Sequence, residues 1–489
     1  MTDDRPALTT PPQHDHTRAQ ETAARKLALT GLAGASVEWY DFFLYSTAAA
    51  LVFPTVFFPA TLPVIVALIA SFSTFAVGFL ARPAGAVLFG HIGDRLGRKA
   101  ALAVALIMMG TATTLIGFLP SYHTAGVFSP LALVLLRISQ GLAVGGQWGG
   151  AILLATESAP ISRRGLYGSI AQVGAPVGVV LANLAFLAAN RATSPEAFMA
   201  YGWRVPFLFS IALVALGIFV YFRVQETVAF RQLQQSKPSP VDPSARTSTV
   251  DATARGTGRL RGWRSPVLEA SRLYPKLILV AAGSYVSTNL AFYILITYIV
   301  AYGTSAAGLY LPRSTMLAAV LIANVTLMPV LLLAGMLSDR YGRRRIFMSG
   351  VALTAVWAFI LFPLIETRSF LWITVAILVG MCLNGLTYGP LAAMFSELFS
   401  TRVRYSSASL ANQIGAIVGG GFAPVIATGL YATYHSNIWV SAYIAGACAI
   451  SVVCASMLDE THKADLDKLA EPKVAVVVNS EAARWHSPL

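Results

Sequence analysis

The sequence predicts an all-α integral membrane fold of about twelve transmembrane helices in two six-helix bundles, and three observations predict it. The 489 residues are 56% hydrophobic and only 12% charged, with a mean hydropathy of +0.65, too apolar for a chain that must solvate its own surface in water. Apolar stretches of about 20 residues, the length that crosses a lipid core of about 30 Å while satisfying every backbone amide internally, recur along the chain. A charged loop motif, GHIGDRLGRK at 90–99, returns as GMLSDRYGRR at 335–344.

The first six spans are expected near 28–52, 63–90, 100–119, 129–156, 165–189 and 203–223, which makes 28–223 an N-terminal bundle. The second six are expected near 275–302, 314–337, 345–364, 369–394, 406–431 and 437–457, which makes 275–457 a C-terminal bundle. Residues 1–27 are polar and lack the apolar core of a cleaved signal, so they read as a disordered tail. Between the bundles, 224–274 turns to Pro, Ser, Thr, Arg and Gln, a composition that cannot bury enough apolar surface to fold alone and reads as a linker. Residues 458–489 form a C-terminal tail.

The net charge of +13 would suit a polyanion partner if it were clustered on one surface, but its location argues otherwise. Arg95, Arg98, Lys99, Arg163, Arg164, Arg340, Arg343, Arg344, Arg345, Arg402 and Arg404 fall in alternate loops, while 53–62, 120–128 and 432–437 carry no Lys or Arg. The positive-inside rule then places both termini in the cytoplasm, with no nucleic acid involved. Cys382, Cys448 and Cys454 lie within apolar spans at spacings that suit neither zinc nor a disulfide framework.

The repetition extends beyond the loop motif. Glu157, Arg163, Arg164, Gln172 and Gly174 echo as Glu397, Arg402, Arg404, Gln413 and Gly415, and Glu226-Thr227 echoes as Glu460-Thr461. Parallel repeats of this kind place a pseudo-two-fold axis along the membrane normal, a solute site at midplane between the halves, and alternating access by rocking.

Intramembrane charges mark where such a site lies, because a charge at the bilayer centre costs several kcal/mol unless it meets water or a partner. Glu38 and Asp41 lie three apart in the first span and share a helix face with Tyr45. They can carry a coupling proton, Asp41 first, or form fixed ion pairs. Arg82 and Arg137 are the deepest cations of the first half, suited to bidentate capture of a carboxylate or to pairing with those acids. Arg204, beside Trp203 and Pro206, reads either as a contact at the cavity mouth or as an interfacial anchor. Gly141, Gly145 and Gly149 recur every four residues, a packing pattern, with Gln147 and Trp148 as polar exceptions. In the second half Asn289, Tyr293, Tyr298, Asn384, Tyr388, Asn412 and Gln413 offer neutral donors and acceptors, for solute or as interhelical glue.

The loop Gly90, Asp94, Arg95, Gly97, Arg98, Lys99 resembles the hallmark G-x-x-x-D-R-x-G-R-K of the major facilitator superfamily. More narrowly, GASVEWYDFFLY at 34–45, ARPAGAVLFGHIGDRLGRK at 81–99, RISQGLAVGGQWGGA at 137–151 and GWRVPF at 202–207 are similar to the metabolite:proton symporter family, over Gly31 to Thr461. The resemblance implies proton-driven import of a bacterial organic acid or zwitterion such as shikimate, 2-oxoglutarate, citrate, proline or a betaine. LATESAP at 154–160 is most similar to shikimate-type members. It also implies a bacterial inner-membrane location, a functional monomer and no cofactor beyond the proton gradient. Asp94, Arg95 and Arg98, Asp339, Arg340 and Arg343, and Glu157, Arg164, Glu397 and Arg404 are then inter-bundle latches. Gln147 departs from the acid that many members carry there, and an amide cannot titrate.

Two other functions are weighed. Gly174, Ala175, Pro176 and Gly178 partly resemble the fifth-helix motif of proton-linked exporters, which would make the chain an efflux antiporter. A solute sensor would be expected to append a signalling domain, and neither tail is long enough. The sequence shows no phosphate-cradling Gly-Lys loop after a strand, metal-ligand cluster or nucleophile with its base, which argues against an enzyme.

Overall fold

The structure, a computed structural model, describes residues 13–462 except 97, 146–154, 158, 213, 216–217, 219–265 and 401–402. Among the described residues every regular element is helical. Nine helices there are long and apolar enough to cross a membrane, and three further helical segments occupy the remaining expected spans. In chain order these are α1 (Gln13–Leu51), α2 (Val64–Leu96), α3 (Arg98–Phe118), α4 (Phe128–Gly145), α5 (Ile161–Ala192) and α6, which opens at Arg204–Leu208. The second half runs α7 (Pro275–Thr304), α8 (Arg313–Tyr341), α9 (Arg343–Glu366), α10 (Phe370–Leu398), α11 (Arg404–Tyr434) and α12 (Ile438–Ser456).

Two expectations need correction. α1 is already helical at Gln13, the first described residue and inside the stretch read as a disordered tail, and its 39 described residues reach about 58 Å at 1.5 Å per residue. The reason is local: Ala, Gln, Glu, Lys and Arg dominate this stretch, and extending an existing helix with such residues costs almost nothing. Within the stretch read as a linker, Pro266–Leu273 is also helical. The rest of that linker, and the tail beyond His462, lie outside the described residues.

Glycines set how closely the helices of the first half approach. A side chain at Gly141 would meet the Gly78 carbonyl, at Gly145 the Arg82 carbonyl, and at Gly85 the Leu142 carbonyl, so α2 and α4 lie backbone to backbone. Gly174 and Gly178 of α5 likewise press on Ala35, Trp39 and Tyr40 of α1. That contact supplies a packing reason for the stretch that partly resembles the exporter motif.

At the loop repeat, Gly342 has φ of 107°, a backbone state that side chains rarely adopt, and this lets α9 start one residue after α8 ends. Two π-helical turns, Ile294–Tyr298 in α7 and Ile417–Gly421 in α11, interrupt the second half at midlength. Gly420 and Gly421 in the latter admit the Phe79 ring of α2. The three cysteines are free.

Candidate functional site

Four charged side chains from three helices of the first half meet in an aromatic chamber. Asp41 on α1 is fully buried and accepts a 2.6 Å hydrogen bond from Ser210 Oγ at Oδ1, while its Oδ2 has no hydrogen-bond partner. Thr113 of α3 lies beside the same carboxylate. Glu38, one turn earlier, is within electrostatic reach of Arg82 on α2.

Arg82 is buried with its guanidinium carbon 4.0 Å from the Phe79 ring centroid and 4.6 Å from that of Phe42. Arg137 on α4 is fully buried against Tyr45 at 4.1 Å, Phe42 at 4.6 Å and Phe75 at 4.7 Å. In each arginine Nε and Nη2 have no hydrogen-bond partner. Ring faces attract the cations but satisfy none of those donors, so the chamber presents two guanidinium groups with bonds to give. Gly78 makes room for this: a side chain there would strike Arg137 Nε.

Tyr45 donates to or accepts from Thr74 Oγ1 at 2.7 Å and serves as the floor under Arg137. From the second half, Tyr293 fits between Phe42, Phe75 and Phe79, with centroids 6.2, 5.6 and 5.4 Å away, and faces Arg82. Tyr388 lies near Tyr285, Tyr293 and Glu38. Asn289 and Asn412 flank Tyr285, and Asn412 Nδ2 and Gln413 Oε1 are buried without a hydrogen-bond partner. The ionic groups thus come from one half and the neutral hydrogen-bonding groups from the other.

Other expected residues are placed elsewhere. Arg204 donates from Nη1 to the carbonyls of Gly117 at 2.8 Å and Leu119 at 2.6 Å, so it caps the carboxyl end of α3 rather than reaching solute. Tyr298 donates to Asn437 Oδ1 at 2.7 Å and Asn384 donates to the Thr288 carbonyl at 2.7 Å, both as bonds between helices. Gln147 lies outside the described residues.

The halves touch at both ends of the chamber. At the arginine-rich end Asp339 accepts from the backbone N–H groups of Gly165 at 2.8 Å and Leu166 at 3.0 Å, at the start of an opposing helix. Arg343 holds Asp339 at 2.5 Å and clasps Glu397 through Nε at 3.3 Å and Nη2 at 3.2 Å. Arg164 approaches Glu397 at 4.0 Å, and Arg404 reaches Glu157 across the halves at 2.9 Å. Arg340 is not in this cluster; it is exposed and lies over the Tyr341 ring at 5.2 Å, because α8 turns that position outward. The side chains of Asp94, Arg95 and Arg98 lie outside the described residues. At the opposite end these contacts form no ion pair: Ser46 and Thr297 share a 2.6 Å hydrogen bond, and Arg313 Nη2 donates to Met199 Sδ at 3.3 Å.

Sequence reasoning missed Ser210, Thr113, Gln140 and Glu460. Gln140 accepts from Arg137 and donates to Thr113, and Glu460 accepts from the first N–H groups of α9. The Glu460-Thr461 repeat was the only signal for any of them.

A buried, two-sided chamber with an ionic cluster at one end, inside a bundle of membrane-length helices, fits a polytopic solute transporter. The chain belongs to the Major Facilitator Superfamily, whose family profile matches residues 42–424 and, in a second alignment, 314–487. It is 37% identical over 465 residues to the inner membrane metabolite transport protein YhjE of Escherichia coli K12, covering 94% of this chain and 100% of that one. It is 39% identical over 445 residues to the shikimate transporter of the same organism, covering 90% and 96%. The E. coli K12 proline/betaine transporter is 29% identical over 451 residues, covering 91% and 86%. Among solved structures, the xylose transporter XylE of E. coli in a partially occluded inward-open conformation superposes with a TM-score of 0.65 at 17% identity, covering 90% and 99%, a likeness of fold. These relatives are transporters, not enzymes.

Proposed function

We propose that the chain imports a small organic acid or zwitterion with protons, by alternating access, and that the solute is a carboxylate of the shikimate type or a dicarboxylate. The observation that carries this reading is the pair Arg82 and Arg137, buried, with four guanidinium nitrogens between them free of hydrogen-bond partners. Donors in that state cost free energy until an anion fills them, and a carboxylate matches their fork. The rings of Phe42, Phe75, Phe79 and Tyr45 already carry guanidinium groups, which favours an acid over a betaine. The asymmetry of the chamber fits a solute with a carboxylate at one end and hydroxyl groups at the other.

Asp41 is the proton acceptor in this reading, because one of its oxygens is free and it has no guanidinium on it. Glu38, beside Arg82, is the second acid of the path. The relatives include a shikimate transporter, and the fold is shared with a D-xylose-proton symporter. The basic latches then face the cytoplasm, as do both termini, the chain works as a monomer in a bacterial inner membrane, and the proton gradient is its only energy source. Uptake of labelled shikimate, 2-oxoglutarate and glycine betaine into proteoliposomes tests this. Accumulation of an acid under an inward proton gradient, lost in Asp41→Asn, is the expected result; accumulation of none, or of the betaine alone, would contradict it.

A further inference from the structure

Asp41 and Arg137 do not pair directly, yet a line of buried, hydrogen-bonded polar groups runs from Arg137 to Thr113, beside Asp41. Arg137 donates from Nη1 to Gln140 Oε1 at 3.0 Å, and Gln140 donates from Nε2 to Thr113 Oγ1 at 2.7 Å. Thr113 lies beside Asp41 while its hydroxyl donates to the Met109 carbonyl; Asp41 Oδ1 is held by Ser210 and Oδ2 has no hydrogen-bond partner. Arg137, Gln140, Thr113 and Asp41 are all fully enclosed.

The direction of every bond in this line is fixed by chemistry. A guanidinium can only donate, so the amide of Gln140 must turn its oxygen to Arg137 and its nitrogen to Thr113. The Thr113 oxygen therefore accepts, and its single proton has two acceptors to choose from: the Met109 carbonyl, 2.9 Å away, or the Asp41 carboxylate. An ionised carboxylate is the stronger acceptor of the two, and a protonated one is weaker. A hydroxyl that donates strongly also accepts strongly, so its grip on Gln140 changes with its choice.

We propose that Thr113 and Gln140 form a relay that couples the protonation of Asp41 to the freedom of Arg137 to hold solute. It rests on the reading that Asp41 takes the proton and Arg137 the carboxylate. With Asp41 ionised, the relay is tight and Gln140 keeps Arg137 Nη1. With Asp41 protonated, the Thr113 hydroxyl turns to Met109, Gln140 loosens, and Nη1 joins Nε and Nη2 in clasping the solute. No proton passes along the relay; the proton stays on Asp41 and only hydrogen-bond directions change. Proton binding then raises solute affinity, and by linkage solute raises proton affinity, which is what symport requires.

The other ionisable groups of the chamber are Glu38 and Tyr40 on α1, Arg82 on α2, Tyr45 on α1 and Tyr293, Tyr285 and Tyr388 from the second half. Among these, Tyr40 is the one whose interaction with Asp41 is direct, and it precedes Asp41 on the same helix. The relay is thus the described route from Asp41 to Arg137 that does not cross a second titrating group. Both relay residues are positioning residues, since they act through Arg137 and not on solute.

The test is the pH dependence of KM for uptake, using whichever of labelled shikimate, 2-oxoglutarate or glycine betaine the wild type accumulates. In the wild type KM is expected to rise about tenfold from the acid to the alkaline side of the profile, equivalent to about 1.4 kcal/mol of coupling. Gln140→Leu and Thr113→Val should flatten that slope, whereas a merely structural role would lower the maximal rate at every pH and leave the slope. If both variants keep the wild-type slope, the relay is overturned. Asp41→Asn separates the two ideas: full gradient-driven accumulation in that variant would remove the proton role of Asp41, whatever Gln140 does. A solute-free cycle on apparent melting temperature, with Asp41→Asn, Gln140→Leu and the double variant, decides the relay independently. Shifts that fail to add are expected, and shifts that add would overturn it.

Discussion

At Arg137 the chain holds a guanidinium in complete burial against three ring faces, and the residues around it are arranged to tolerate that. Gly78 leaves space for Nε, Gln140 takes Nη1, and Tyr45 lies flat beneath the group. Lysine cannot reproduce this geometry, because an ammonium neither stacks as a plane nor forks toward a carboxylate. Arg137→Lys is therefore expected to raise KM for uptake by about tenfold or more, about 1.4 kcal/mol, with protein levels in the membrane unchanged. Gly78→Ala should act on the same group from behind, displacing Nε and weakening uptake, which parallel expression blots and initial-rate assays would check. These residues were legible in part. A charge inside an apolar span announces itself, so Asp41, Arg82 and Arg137 could be read from the sequence. Thr113, Gln140 and Ser210 could not, since a hydroxyl or amide in a span carries no local pattern, and their partners lie 27 and 169 residues away.

Among the helices, the informative contrast is between the two ends of the chamber. Asp339, Arg343 and Glu397 form a buried ionic cluster against the start of α5, while the opposite end closes with hydroxyls and rings. Breaking a buried pair by removing one member costs about 3–5 kcal/mol because the other charge stays buried. Arg343→Ala should therefore lower the apparent melting temperature and open the basic end, read as faster labelling of a cysteine placed beside Glu397. Glu157 and Arg404 join the halves at one exposed and one buried side chain, so exchange is feasible. Glu157→Arg should reduce uptake, and adding Arg404→Glu should restore part of it; failure of the double variant would show that the pair is not a latch. Asp339 and Arg343 of the loop repeat lie in this cluster, and their four-residue spacing is a local feature legible in the sequence. Arg340 points away from the cluster and Arg204 caps α3 for a common reason: depth is legible in the sequence, but helix phase and the nearest free carbonyls decide what each side chain touches.

For the whole molecule, twelve apolar segments and their basic loops were enough to predict the fold, because lipid allows a spanning segment almost no other backbone structure. The length of α1 escaped that logic, since its polar first turns lie where the bilayer imposes nothing. Alternating access requires the ends to open in turn, and Ser46 bonds Thr297 across the halves at 2.6 Å at the end opposite the ionic cluster. Cysteines at both positions should form a disulfide on oxidation and arrest uptake, with recovery on reduction; uptake that persists after verified cross-linking would show that this end need not open. In the proposed cycle, proton binding at Asp41 drives entry of a carboxylate held by Arg82 and Arg137. This coupling is tested most directly by accumulation of labelled shikimate and 2-oxoglutarate in proteoliposomes under an imposed inward proton gradient, in wild type and Asp41→Asn. Accumulation of an acid above its outside concentration is expected in the wild type, abolished by a protonophore and by Asp41→Asn; accumulation of neither acid, or undiminished accumulation in the variant, would rule the proposed coupling out.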